Sequence, residues 1–410
     1  MLCVVVMVRR EILSLSIAVV MISFASSTFW TILPLYMWDL GFDFFDIAML
    51  NAAQTLATVL FSRFFGILAD ISGRKKFILM ELIILLSACL FFYFISSMGM
   101  VDMANILLLS FIVGLSWAVG GGAVAAAMTT MFTRQETGRA TGIYLSSDAV
   151  GWAAGSFVSG FLADYFGIGF IFLVSSILLC VGIIVVSAGY RETPSNSYRG
   201  GVVDLLRGAL RDSWSLRLRG DTYGLLCIYL MVVLLNIGAS IYFLVFVIKF
   251  YIIVGTKTMY GIITGTAGIL GIVTPYIVGR ISDRIGKGKL LLYTLIARIG
   301  FMYYLVFSWN KAIAIMFWLI PLWGIINLSL ISMTTDYASE GYESEAQAIR
   351  NMISFISLTV GNIIGGVLSM MLDLRTSTAG METVLLIGAT VYFLSIPLSI
   401  MMIRKEKTKQ

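Results

Sequence analysis

Asp148 is the first residue whose setting suggests chemistry. It stands in an otherwise apolar run, 141–162, and on a helix rising 1.5 Å per residue it lies about 13 Å beyond Arg139. An acid that deep in an apolar run costs several kcal/mol unless it is paired or protonated, which makes it a candidate for proton coupling. The structural alternative is an acid paired with a neighbouring arginine such as Arg63 or Arg350.

A second constellation is a turn that occurs twice. Gly66 to Lys76 reads GILADISGRKK and Gly279 to Lys289 reads GRISDRIGKGK. Gly66 and Gly279, Asp70 and Asp283, Gly73 and Gly286 align without gaps, and Arg74, Lys75 and Arg284 add basic charge. A carboxylate at such a turn can meet the positive N-terminal end of a helix. The alternative is that the turns cap helices and carry charge for orientation only.

Other chemistries lack their parts. The chain has no His, and Cys3, Cys89, Cys180 and Cys227 all sit in apolar surroundings, so no metal site or disulfide framework is expected. There is no G-x-x-x-x-G-K-[ST] phosphate loop and no nucleophile with its base. The sequence therefore points away from an enzyme and from any cofactor.

The elements that hold these residues follow from composition. Of 410 residues 59% are hydrophobic and 12% charged. A soluble domain uses roughly 25% charged residues, so this chain cannot wet a globule of its size. Its apolar residues fall in blocks of about 20, enough to cross a hydrocarbon core of ~30 Å. Twelve such blocks are read at 12–37, 45–66, 77–97, 104–128, 141–162, 168–190, 223–249, 257–279, 290–309, 312–334, 347–372 and 381–403. Inside lipid the backbone must bond internally, so these are helices. Lys and Arg concentrate in alternate loops and both tails, which places both termini in the cytoplasm of a multi-pass cell-membrane protein. The net charge of +6 then reflects lipid headgroups and not nucleic acid. Glu81, one turn into its span, is expected to pair with a basic residue at the interface, and Arg298 to snorkel to the cytoplasmic edge.

The polar interval 191–222 divides six spans, 1–190, from six, 223–410. Val203, Leu206, Leu210 and Trp214 within it have the spacing of an interfacial helix, with a disordered basic linker as the alternative. Beyond the turns, Met128-Thr129-Thr130 corresponds to Met333-Thr334-Thr335, and Gly155, Ser159 and Gly160 to Gly361, Gly365 and Gly366. These are parallel repeats.

Gly66, Leu68, Ala69, Asp70, Gly73, Arg74 and Lys75 resemble the G-x-L-a-D-r-x-G-r-K signature of the major facilitator superfamily, with Ile71 where the family has a basic residue. The resemblance implies an all-α membrane fold of twelve transmembrane helices in two pseudo-symmetric six-helix bundles. It also implies a transporter working by alternating access. By the same resemblance Asp70 would face Arg350, Asp283 would face Arg139, and helices one, four, seven and ten would line the cavity. Those four stretches carry no charge, which argues for a neutral or mildly amphipathic organic solute, moved by one copy of the chain. Trp30, Trp117 and Tyr242 could stack on it and Asn236 and Asn327 could hydrogen-bond it, or all five could serve packing and interhelical bonding. Helix four lacks the Arg, and helix five the Gly-Pro pair, of the family's proton-driven antiporters. Proton-coupled efflux through Asp148 and facilitated diffusion both stay open, with a non-transporting sensor as the rival of another class.

Overall fold

The computed structural model describes residues 2–132, 137–192, 220–339, 342–375 and 377–409. The first six helices are α1 (Leu2–Asp39), α2 (Phe44–Ser72), α3 (Arg74–Ser97), α4 (Met103–Thr130), α5 (Thr137–Tyr165) and α6 (Ile168–Gly189). The second half holds α7 (Thr222–Val254), α8 (Lys257–Ile285), α9 (Lys287–Phe307), α10 (Lys311–Leu319) and α11 (Leu322–Tyr337). It ends with α12 (Glu343–Met371), α13 (Thr378–Phe393) and α14 (Ser395–Lys409). Most of the expected interfacial helix, including Val203, Leu206, Leu210 and Trp214, lies outside the described residues.

Among the described residues fourteen helices make twelve spans, because two spans are broken. Lys311–Tyr337 is one apolar span interrupted at Pro321, and Thr378–Lys405 is one interrupted at Leu394. Pro321 has no N–H and crowds the residue before it out of helical backbone, and Ile320 accordingly has ψ 119°. Among the described residues ten helices are apolar and long enough to cross a membrane. The other two, α5 and α8, are 29 residues each and so about 43 Å long, enough to cross as well. Their Gly, Ser and Thr content lowers their hydropathy, which suits helices that pack on other helices.

Helix starts are set locally. Asp102, Asp221, Asn310 and Ser377 each accept a hydrogen bond from the first turn of α4, α7, α10 and α13. Such a cap contributes about 1 kcal/mol.

The chain clusters into two compact units. The first comprises Met1–Tyr36, Ala53–Ser215 and Thr256–Ile269, and the second Met37–Ala52, Leu216–Gly255 and Leu270–Gln410. In the first, a Cβ added at Gly155 of α5 would overlap Ser27 Oγ and the Phe24 carbonyl of α1. In the second, a Cβ at Gly361 of α12 would lie 2.8 Å from Ser240 Cβ and 2.9 Å from Ile237 Cα of α7. Glycine against serine thus seats span five on span one and span eleven on span seven. The internal repeat extends from sequence to packing.

Candidate functional site

Three stripes of side chains converge in the first unit. On α5, Tyr144, Asp148 and Trp152 recur every fourth residue and so share one face. On α1, Val19, Ile22, Ser23 and Ser26 share a face at spacings of three and four, as do Trp117, Gly121 and Val124 on α4. Glu81 of α3 joins them, and together these residues line a cavity of about 190 Å³. At ~30 Å³ per molecule that is room for about six waters, the scale of a small organic group.

Asp148 is held in place from α1. Ser23 Oγ donates to Asp148 Oδ1 at 2.5 Å. The contact exists because Gly151 and Gly155 let α5 lie on the α1 backbone, where a Cβ at Gly151 would overlap the Val20 carbonyl. The acid's hydrogen-bond partner is therefore a serine of its own half.

Glu81 departs from expectation. It is 2% exposed, and its Oε2 has no hydrogen-bond partner among the described residues. No interfacial ion pair holds it. Its carboxyl sits where a side chain at Gly120 would be, since a Cβ there would overlap Glu81 Oε2. An unpaired ion in such a place is expensive, so the carboxyl needs a proton or a cation beside it. No basic residue lines the cavity.

The lining is also aromatic, through Trp117 and Trp152. Trp117 Nε1 donates to Ser26 Oγ at 3.0 Å, which fixes the indole. Trp30 stacks on Trp117, with centroids 6.1 Å apart and planes 5° from parallel.

The remaining sequence candidates lie elsewhere. Tyr242 is fully buried and donates to the Met302 carbonyl at 3.1 Å. Asn236 donates to Ser354 Oγ and to the Val232 carbonyl, both at 3.0 Å. Asn327 accepts from Arg350 Nη1 at 3.0 Å, and Arg350 also donates to Gln347 and Asn351. Arg298 does not snorkel. It is 5% exposed, with its guanidinium 5.2–5.6 Å from the rings of Phe243, Phe317, Trp323 and Tyr392. Four ring faces offset its desolvation and remove the need to reach water.

The turn motif ties helix ends together within each unit. Asp70 pairs with Arg74 at 2.9 Å, and Arg74 reaches the end of α4, donating to the Ala126 carbonyl at 2.9 Å and to Thr130 Oγ1 at 3.0 Å. Lys75 donates to the Ser187 and Tyr190 carbonyls at 2.9 and 2.6 Å, and the Arg74 amide donates to Glu192. In the second unit Lys287 pairs with Asp336 at the end of α11, at 2.5 Å. Gly73 and Gly286 have φ of 101° and 90°, a backbone that disfavours side chains. Each turn is followed by a basic residue bound to the end of the fourth span of its half. Arg284 is exposed, a Cβ at Gly66 would meet nothing within 4 Å, and Gly279 and the side chains of Arg139 and Asp283 lie outside the description.

The twelve spans, the repeated turn and the repeated Gly-on-Ser packing meet a sequence profile described as the Major Facilitator Superfamily, which matches residues 15–330. The chain belongs to the major facilitator superfamily. No curated protein matches it in sequence. Among solved structures, the nucleoside transporter NupG is similar in fold, with a TM-score of 0.73 and 15% identity over 96% of this chain and 99% of that one. Tetrameric PepTSo2 has a TM-score of 0.73 and 13% identity over 98% and 99%. At these identities the likeness concerns the fold. For this member of the superfamily, the all-α membrane architecture and the assignment as a transporter follow.

Sequence reasoning overlooked Ser23, Ser26, Tyr144 and Trp152, and placed Glu81 at the interface. The spacing of four through Tyr144, Asp148 and Trp152 was a usable signal. The Glu81–Gly120 fit had none, because it joins two helices.

Proposed function

We propose that this transporter is proton-coupled and that Asp148 and Glu81 carry the proton. The observation behind this reading is two carboxyls lining one cavity, Glu81 buried and Asp148 half-buried, with no basic residue in the lining. The expectation of an uncharged solute rested on the walls of four spans. The acids come from α3 and α5, outside that set, and favour the proton-coupled alternative. Solute would bind between the carboxyls and the Trp117 wall, and gradients would supply the energy.

The same reading takes 1–190 and 223–410 as the two repeating halves, joined by 191–222, in a cell-membrane monomer with both termini cytoplasmic. Asp70 and Asp283, with Arg350 and Arg139, would act as the cytoplasmic latch. Tyr242, Asn236 and Asn327, each engaged in internal hydrogen bonds or packing, would serve structure.

The test is solute-driven proton movement. Purified protein is reconstituted into liposomes with a pH-sensitive dye inside, and a small-molecule library is added outside. The reading expects at least one solute to move protons through wild type, and Asp148→Asn and Glu81→Gln to abolish that movement. Solute flux with no proton movement, or unchanged proton movement in both variants, would sink it.

A further inference from the structure

The geometry points to a protonated organic amine carrying an aromatic ring as the ligand class of the α1–α3–α4–α5 cavity. This rests on reading the cavity as the transport site, and it goes further by naming what the site selects.

Charge comes first. Of the lining residues, Glu81 comes from α3 and Tyr144 and Asp148 from α5, while α1 and α4 contribute none that titrates and no lining residue is basic. Glu81 lines the cavity, and its Oε2 is buried with no partner among the described residues. Ser23 satisfies only Oδ1 of Asp148. The site therefore offers acceptors without donors of matching charge. An ammonium group, with only donors, is complementary to it, whereas a carboxylate or phosphate would meet two acids.

Shape comes second. The flat Trp117 indole is held by Ser26 and stacked with Trp30, and Trp152 stands one turn from Asp148 on the same face. Such walls favour an aromatic ring beside the ammonium, and Trp faces attract the cation as well. At Gly121 an added Cβ would meet nothing within 4 Å, so the cavity extends over that backbone.

When the ammonium enters, a carboxyl proton leaves to water and the carboxylate keeps the electron pair, so the amine's charge replaces the proton's. One proton is released for each amine bound to a protonated site. The two would then compete for the same carboxyls, which is the basis of exchange transport.

The test uses three probes of one shape: phenethylamine, 2-phenylethanol and phenylacetate. Binding to full-length protein in detergent micelles is measured by isothermal titration near neutral pH, in two buffers of different ionisation heat, which counts the protons released. A charge-assisted contact predicts roughly tenfold or more tighter binding of the amine than of the alcohol, and no binding of the acid. Asp148→Asn and Glu81→Gln should each weaken the amine by a similar factor. Gly121→Leu, which fills open space and keeps the helix, should abolish amine binding while the protein melts as wild type does. Equal binding of amine and alcohol, or amine binding unaffected by Gly121→Leu, overturns the inference. Amine binding without proton release leaves the ligand class standing and removes the proton-coupled reading. Library-driven proton flux without amine binding does the reverse.

Discussion

The Glu81 carboxyl occupies the space that a side chain at position 120 would need, so the glycine on α4 and the acid on α3 are a matched pair. Gly120→Ala should force the acid aside and cost about 1–3 kcal/mol in thermal unfolding, as overpacking does. Gly120→Ala combined with Glu81→Gly should regain part of that loss, because the overlap involves the Glu81 Cβ as well as its carboxyl. A double-mutant cycle with no coupling would deny the pairing.

The seat of α5 on α1 gives a sharper contrast. Gly155→Ala overlaps Ser27 and the Phe24 carbonyl, whereas a Cβ at Gly142 on the same helix meets nothing. Gly155→Ala should lower stability by about 1–3 kcal/mol, and Gly142→Ala should be neutral or raise it by about 0.5–1 kcal/mol. Melting temperatures of the two proteins in one detergent decide this.

At the turn, Gly73→Ala meets a positive φ and an acceptor, with Glu192 Oε2 2.6 Å from the new Cβ. We expect a loss of about 1–2 kcal/mol. Lys287→Ala, which breaks a half-exposed pair with Asp336, should cost no more than about 1 kcal/mol. Asp70→Asn should alter the pattern of cysteine accessibility at the cytoplasmic ends, and an unchanged pattern would remove the proposed latch.

Arg298 tests whether a buried cation can be held by rings alone. Arg298→Met keeps the volume inside the Phe243, Phe317, Trp323 and Tyr392 box and should change stability by less than about 1 kcal/mol. Arg298→Ala leaves the box empty and should cost about 2–5 kcal/mol. If both lose stability equally, a specific polar role for the guanidinium must replace this explanation.

Much of the fold was legible before any coordinates. Span length, the basic loops and the repeated Gly-x-x-x-Asp-x-x-Gly turn are local properties of the chain, and they survive folding unchanged. Asp148 stood out for the same reason, since its depth in an apolar run can be counted along one helix. Glu81 and Arg298 were misplaced because their surroundings come from other helices: Gly120 makes room for the first, and four rings enclose the second. The hydrogen bonds of Tyr242 to Met302 and of Asn327 to Arg350 were not legible, because the partners come from other helices.

Infrared difference spectra of the purified protein, taken between acidic and mildly alkaline pH, test the central claim most directly, because they require no knowledge of the solute. Protonated carboxyls lining the cavity should give a carbonyl band that rises with acid. Part of it should vanish in Asp148→Asn and part in Glu81→Gln. A band identical in wild type and both variants would mean that neither acid takes up the proton, contradicting the account.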